Sequence, residues 1–192
     1  MPRTPGTTPR PRADAQRNRG QLLAAAEVAF NRWGGAASLD DIARAAGVAN
    51  ATLYRHFPTR EQLISAVYVE RIDGLCTAAA EARASDPAGA ALLGWLHAVI
   101  DHITESRGLR EAFMAAYRLR DGDESPEVAE WHRRTDAAAA PLLRDAQEAG
   151  RIRPDLTVTE LMTLVAAIAH AGDGDAEQAR RLLGLTLEGL SR

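Results

Sequence analysis

Residues 38–57 read SLDDIARAAGVANATLYRHF, and the spacing of their apolar positions decides the fold. Ser38 stands three residues before Asp41, an approximate capping box that opens a helix. Leu39, Ile42, Ala43 and Ala46 make a short apolar face, and Gly47 stops that helix. The turn of three or four residues needs a backbone freedom that Gly47 supplies without a Cβ, and Val48 fills the angle between the helices. A second short helix starts at Ala49 or Asn50. Leu53 and Phe57 face inward, while Asn50, Thr52, Tyr54, Arg55 and His56 form a hydrogen-bonding outer side. This is the helix-turn-helix pattern, whose second helix in DNA binders enters the major groove. A solvated hairpin would show the same outer side, so geometry alone leaves both readings open.

Working outward, Leu22, Ala26, Ala29, Phe30 and Trp33 fall on one face of a long helix that Gly34-Gly35 ends. Residues 1–13, rich in Pro, Thr and Arg, read as a flexible basic arm. Pro58 closes the motif and Thr59 caps a longer helix that carries Leu63, Ile64, Val67, Ile72 and Leu75 to about Ala84. Asp86-Pro87 is the next break. Leu92, Leu93, Leu96, Val99, Ile100 and Ile103 mark a helix ending near Arg107-Gly108. A shorter one holds Leu109, Phe113, Met114 and Tyr117. After the acidic loop 121–126, an Ala-rich helix runs from about Glu127 to Ala149, with Pro141 set to kink or divide it. Two apolar-striped helices, linked by residues 171–175, end the chain. The expectation is an all-α protein of about nine helices, with an N-terminal helix-turn-helix head on a C-terminal helical bundle.

Composition agrees with that reading. The chain has 192 residues, 39 of them Ala, and all 23 basic residues are Arg. Alanine is the best helix former, and the Lys-free, Arg-rich usage fits GC-rich coding DNA and a bacterial origin. The hydrophobic share of 46% suffices for a sizeable core. A single cysteine, Cys76, excludes a disulfide framework and a Cys-based zinc site. There is no apolar leader and no stretch of the roughly 20 apolar residues a membrane span needs, so a cytoplasmic protein without a membrane partner is expected. Charge is unevenly spread. Residues 1–60 carry nine arginines against four acids, a net of +5, and residues 61–192 carry fourteen against twenty-two, a net of −8. A basic first third on an acidic remainder favours a polyanion at one end only.

Other chemistries find little support. The histidines, 56, 97, 102, 132 and 170, show no metal-binding spacing. No nucleophile elbow, P-loop or dinucleotide fingerprint occurs. The acidic loop at 121 starts like a calcium loop, but Pro126 stands where Gly is needed and His132 replaces the closing Glu. No catalytic residue, metal or cofactor is expected, and the chain does not read as an enzyme.

The stretch SLDDIARAAGVANATLYRHFPTREQLISAVY, residues 38–68, resembles the DNA-binding region of TetR-family transcriptional regulators. The resemblance spans about residues 17–68, through the Ile-Ala pair, AGV, TLYxHF and a basic residue three after Phe57. It implies a head over 14–60 and a ligand-binding and dimerisation domain over 61–192. It also implies a ligand-responsive repressor, bound as a homodimer to a palindromic double-stranded operator and released by a small, partly apolar effector. The family's DNA contacts fall on Ser38 or Leu39 (phosphate), on Asn50, Ala51 and Thr52 (bases), and on Tyr54, His56 and Arg60 (phosphate). Arg55 reaches a base or phosphate, and Arg17 and Arg19 add nonspecific contacts. Arg60 replaces the usual Lys and gains bidentate geometry. Ala49 replaces the usual Ser or Thr cap, leaving Asn50 to take over that role one residue later, and Ala51 offers only an apolar contact.

Two further sites follow from pattern and resemblance together. The middle helices bring aromatic and apolar residues near one another, and an effector pocket is expected among Trp95, Leu96, Ile100, Phe113, Met114, Tyr117, Trp131 and His132, with His97 as a further polar handle; plain core packing is the competing reading. The last two helices carry a stripe at Leu161, Leu164, Val165, Ile168, Leu182, Leu183, Leu187 and Leu190, read as a four-helix dimer interface or as burial within one subunit. The competing function is a helical ligand-binding or protein-interaction module with a vestigial DNA-binding head.

Overall fold

Thr59 turns the chain out of the short-helix region and into the longest helix of the molecule. Its hydroxyl accepts from the Gln62 amide at 3.3 Å, which caps a helix over Arg60–Ser85. The computed structural model describes residues 11–86, 90–117 and 125–189. Among these, nine α-helices and one 3₁₀ turn (Gly34–Ala36) occur, with no strand. The helices are α1 (Pro11–Trp33), α2 (Leu39–Ala45), α3 (Asn50–His56), α4 (Arg60–Ser85), α5 (Ala91–Glu105), α6 (Arg107–Tyr117), α7 (Pro126–Glu148), α8 (Val158–Ala171) and α9 (Ala176–Gly189).

Helices α1, α2 and α3 form the head around Leu22, Ala26, Phe30, Ile42, Ala43, Leu53 and Phe57, all buried. The body is built on α4, which packs against α5, α7, α1 and α6; α5 in turn meets α8 and α9. Head and body share one continuous core. Caps explain most boundaries: Ser125 opens α7, and Thr157 and Glu160 form a reciprocal capping box at the start of α8. No described helix is long and apolar enough to cross a membrane.

Several expectations need correction. Residues 11–13 belong to α1 rather than to an arm, and residues 1–10 lie outside the described residues. Leu190 and most of the acidic loop, 121–124, also fall outside them. Helix α7 runs unbroken through Pro141. Gly108 does not stop α5; Ser106 does, and Gly108 lies in the first turn of α6. A Cβ there would sit 2.5–2.6 Å from the backbone oxygens of Asn31 and Phe30, so glycine is needed for close approach to the end of α1. The apolar stripe of the last two helices divides. Leu161, Val165, Leu183 and Leu187 are buried within the subunit and are not available to a partner. Leu164 and Ile168 are half-buried, and Leu182 and Leu185 face outward, 37% and 56% exposed.

Candidate nucleic-acid interface and internal cavity

The α2–α3 hairpin turns at Gly47, whose φ of 69° lies in the left-handed region that glycine adopts freely. The Val48 amide returns to the Ala43 carbonyl at 3.0 Å, and its side chain packs on the core. Leu53 and Phe57 hold α3 from beneath. Asn50, Ala51, Tyr54 and Arg55 are exposed above, and Thr52 and His56 are half-buried. Arg19 lies over the Phe57 ring at 5.6 Å, which ties α1 to the end of α3.

Asn50 does not cap α3. Ala49 occupies the cap position with no side-chain bond, and Asn50 is the first helical residue. Its Nδ2 instead donates to Asp40 Oδ1 at 2.8 Å, a cross-link between α3 and the start of α2. Sequence reasoning missed this bond because its partners are ten residues apart. Ser38 Oγ accepts from the Asp41 amide at 3.3 Å, leaving its own hydroxyl proton to give. Leu39, half-buried, begins α2, where unpaired amides face outward. Arg60, at the start of α4, donates to the Gly35 carbonyl at 3.3 Å and so braces the 3₁₀ turn. His56 is only partly available: its Nε2 is buried and without a hydrogen-bond partner.

The body contains a cavity of about 470 Å³ between α4, α5, α7 and α8. Of the residues expected at an effector pocket, Trp131 and His132 line it. The other seven expected residues, His97 included, do not. Trp95, Leu96, Ile100 and Phe113 are fully packed core. Trp95 spends its indole N–H on the Leu75 carbonyl at 2.9 Å and acts as a strut between α4 and α5. Phe113 meets Tyr68 and Trp131 edge-on, with ring centres 5.3 and 4.9 Å away, and stacks on Tyr117. Met114, Tyr117 and His97 lie off the cavity. The aromatic residues therefore do cluster, but the void opens on the Tyr68–Trp131 stack (4.6 Å between centres), not on Phe113. The remaining wall includes Ile72, Val99, Ile103, Met162, Thr135 and Asp136.

His102 is the wall residue with the most constrained chemistry. Arg71 on α4 donates through Nε to His102 Nδ1 at 3.1 Å and through Nη1 to Glu27 of α1 at 2.5 Å, and it also lies 3.7 Å from Glu105. Burial, with the Arg71 charge beside it, pushes the His102 pKa down to about 4. Neither residue was singled out from the sequence, where they stand 31 positions apart. Among the described residues no group of three or more His, Cys, Asp or Glu could hold a metal ion.

Comparison with known proteins agrees on both halves of the chain. A family described as "Bacterial regulatory proteins, tetR family" matches residues 22–67. A second, "Transcriptional regulator SbtR-like, C-terminal domain", matches residues 86–192. The fold resembles a TetR transcriptional regulator of Streptomyces coelicolor at a TM-score of 0.77 and 36% identity, covering 90% of this chain and 98% of that one. It also resembles a TetR regulatory protein of Mycobacterium vanbaalenii at 0.76 and 30%, covering 94% and 99%. Among curated proteins, the HTH-type transcriptional regulator UidR of Escherichia coli is 27% identical over 175 residues, 85% of this chain and 84% of UidR.

Proposed function

This chain belongs to the TetR family of DNA-binding transcriptional regulators, and on that premise we propose that it works in the cytoplasm as a homodimeric repressor, holding a short palindromic operator and releasing it when a small molecule fills the cavity. The observation that carries the reading is the outer side of α3: polar, exposed, and held rigid by Leu53 and Phe57 below. Tyr54, Arg60 and the Ser38–Leu39 helix start grip phosphates. Asn50, Ala51 and Thr52 face base edges, with Arg55 beside them. His56 contributes through an edge other than its buried Nε2. Asn50 leaves Asp40 when it reads a base.

The dimer forms through the outward row on the last two helices, Leu164, Ile168, Leu182 and Leu185, rather than through the whole stripe. Release works through α4. Its first residue, Arg60, belongs to the head, and Tyr68, Ile72 and Leu75 on the same helix line the cavity. An occupant that shifts α4 changes the spacing of the two heads.

Selection from random duplexes with the full-length chain tests the proposal. An inverted repeat is expected to be enriched, and a promoter carrying it is expected to be silenced when the chain is expressed. Enrichment of no motif overturns the reading.

A further inference from the structure

The cavity wall holds a polar group whose hydrogen-bonding sense the protein itself fixes. Arg71 is always a donor, so His102 Nδ1, which accepts from it, must offer a lone pair. The ring proton then sits on Nε2. That nitrogen has no hydrogen-bond partner among the described residues, and its ring forms part of the cavity wall. His102 thus presents a neutral N–H to whatever enters. Tyr68 adds a second donor of the same kind: its phenol has no partner among the described residues, and burial raises its pKa, so it stays protonated. The one carboxylate in the wall is Asp136, and no Arg lines it. An anionic guest would face that carboxylate, while the Arg71 charge behind His102 is already met by Glu27 and Glu105. A pure hydrocarbon would cover the His102 N–H and leave it unpaired, which is penalised in a desolvated site.

This inference rests on the effector reading above and deepens it. We propose that the cavity takes an uncharged, mainly apolar molecule bearing a carbonyl group, whose oxygen accepts a hydrogen bond from His102 Nε2–H. Arg71 is the positioning residue: by occupying Nδ1 it keeps the proton on the nitrogen that faces the guest.

Three probes of similar shape separate the alternatives: benzophenone (neutral carbonyl), diphenylmethane (no acceptor) and diphenylacetate (anion). Calorimetric titration of the full-length chain is expected to show benzophenone binding roughly tenfold tighter than diphenylmethane, the scale of one hydrogen bond kept in a desolvated site. Diphenylacetate is expected to bind weakest. In His102→Leu the advantage of benzophenone should vanish, while His102→Gln, which keeps a donor, should retain part of it. In Arg71→Met the advantage should shrink, since the ring proton is no longer confined to Nε2. Equal binding of benzophenone and diphenylmethane by the unaltered chain overturns the proposal, whatever the variants do, and so does preference for diphenylacetate. If none of the three binds, the cavity is not an effector site, and the underlying reading fails rather than this assignment alone.

Discussion

Gly108 and His102 show how much single positions carry. A Cβ on residue 108 would collide with the carbonyl oxygens of Asn31 and Phe30, which are backbone and cannot swing aside. The junction already holds two buried polar atoms without partners, Asn31 Oδ1 and Ser106 Oγ. Gly108→Ala is therefore expected to destabilise the chain by about 1–3 kcal/mol, as overpacking does, read as a lowered melting temperature. His102 acts through pH. Its folded pKa is near 4 and its ordinary value 6.5. Between those values only the unfolded chain binds the proton, so stability falls as pH drops from 6.5 toward 4, by up to about 3 kcal/mol. Urea unfolding across that window should show the slope, and His102→Gln should flatten it. Below pH 4 the loss passes to carboxylates whose pKa values their partners depress, Asp145 beside Arg83 and Glu160 at its cap. At the head, Arg60→Ala should weaken binding to all duplexes alike and lower the salt-dependence slope by about one phosphate contact; anisotropy titrations at several salt concentrations read both.

Helices are the scale at which the sequence was most readable, because their ends depend on neighbours three or four residues away. Ser38, Gly47, Thr59 and Gly34-Gly35 set boundaries the structure reproduces. The Thr157–Glu160 box at α8 obeys the same local rule, although its residues were not singled out from the sequence; Thr157→Ala should lower stability by about 1 kcal/mol, or a few degrees in melting temperature. The start of α3 was harder. Asn50 is a good capping residue, yet the cap position falls on Ala49, and Asn50 instead donates its Nδ2–H to Asp40 of the preceding helix, a contact no local rule anticipates. The cavity was least legible. Its walls come from four helices distant in sequence, and periodicity says that a residue is buried, not whether its neighbour is another side chain or a void. Trp95 and Phe113 were picked for bulk, and it is their bulk that commits them to solid packing.

For the molecule as a whole, the question is which apolar surface stays uncovered in one subunit. Leu161, Val165, Leu183 and Leu187 share a stripe with the outward leucines, and only tertiary packing separates the two sets. Leu185→Arg should leave helical content unchanged in circular dichroism but give a monomer in light scattering, with loss of tight palindrome binding. Retention of the dimer would place the interface elsewhere. Another tie is internal. The Arg71 guanidinium knots together three rods: its own, the first, through Glu27, and the fifth, through His102 and Glu105. One planar fork serves every strand of that knot, so a guest of the proposed kind, bonded to the imidazole, would act on the hold that Arg71 keeps on the opening rod. On the proposed release mechanism, linkage runs both ways: a head bound to duplex shifts the guest's affinity by the same factor by which the guest shifts the head's affinity for duplex.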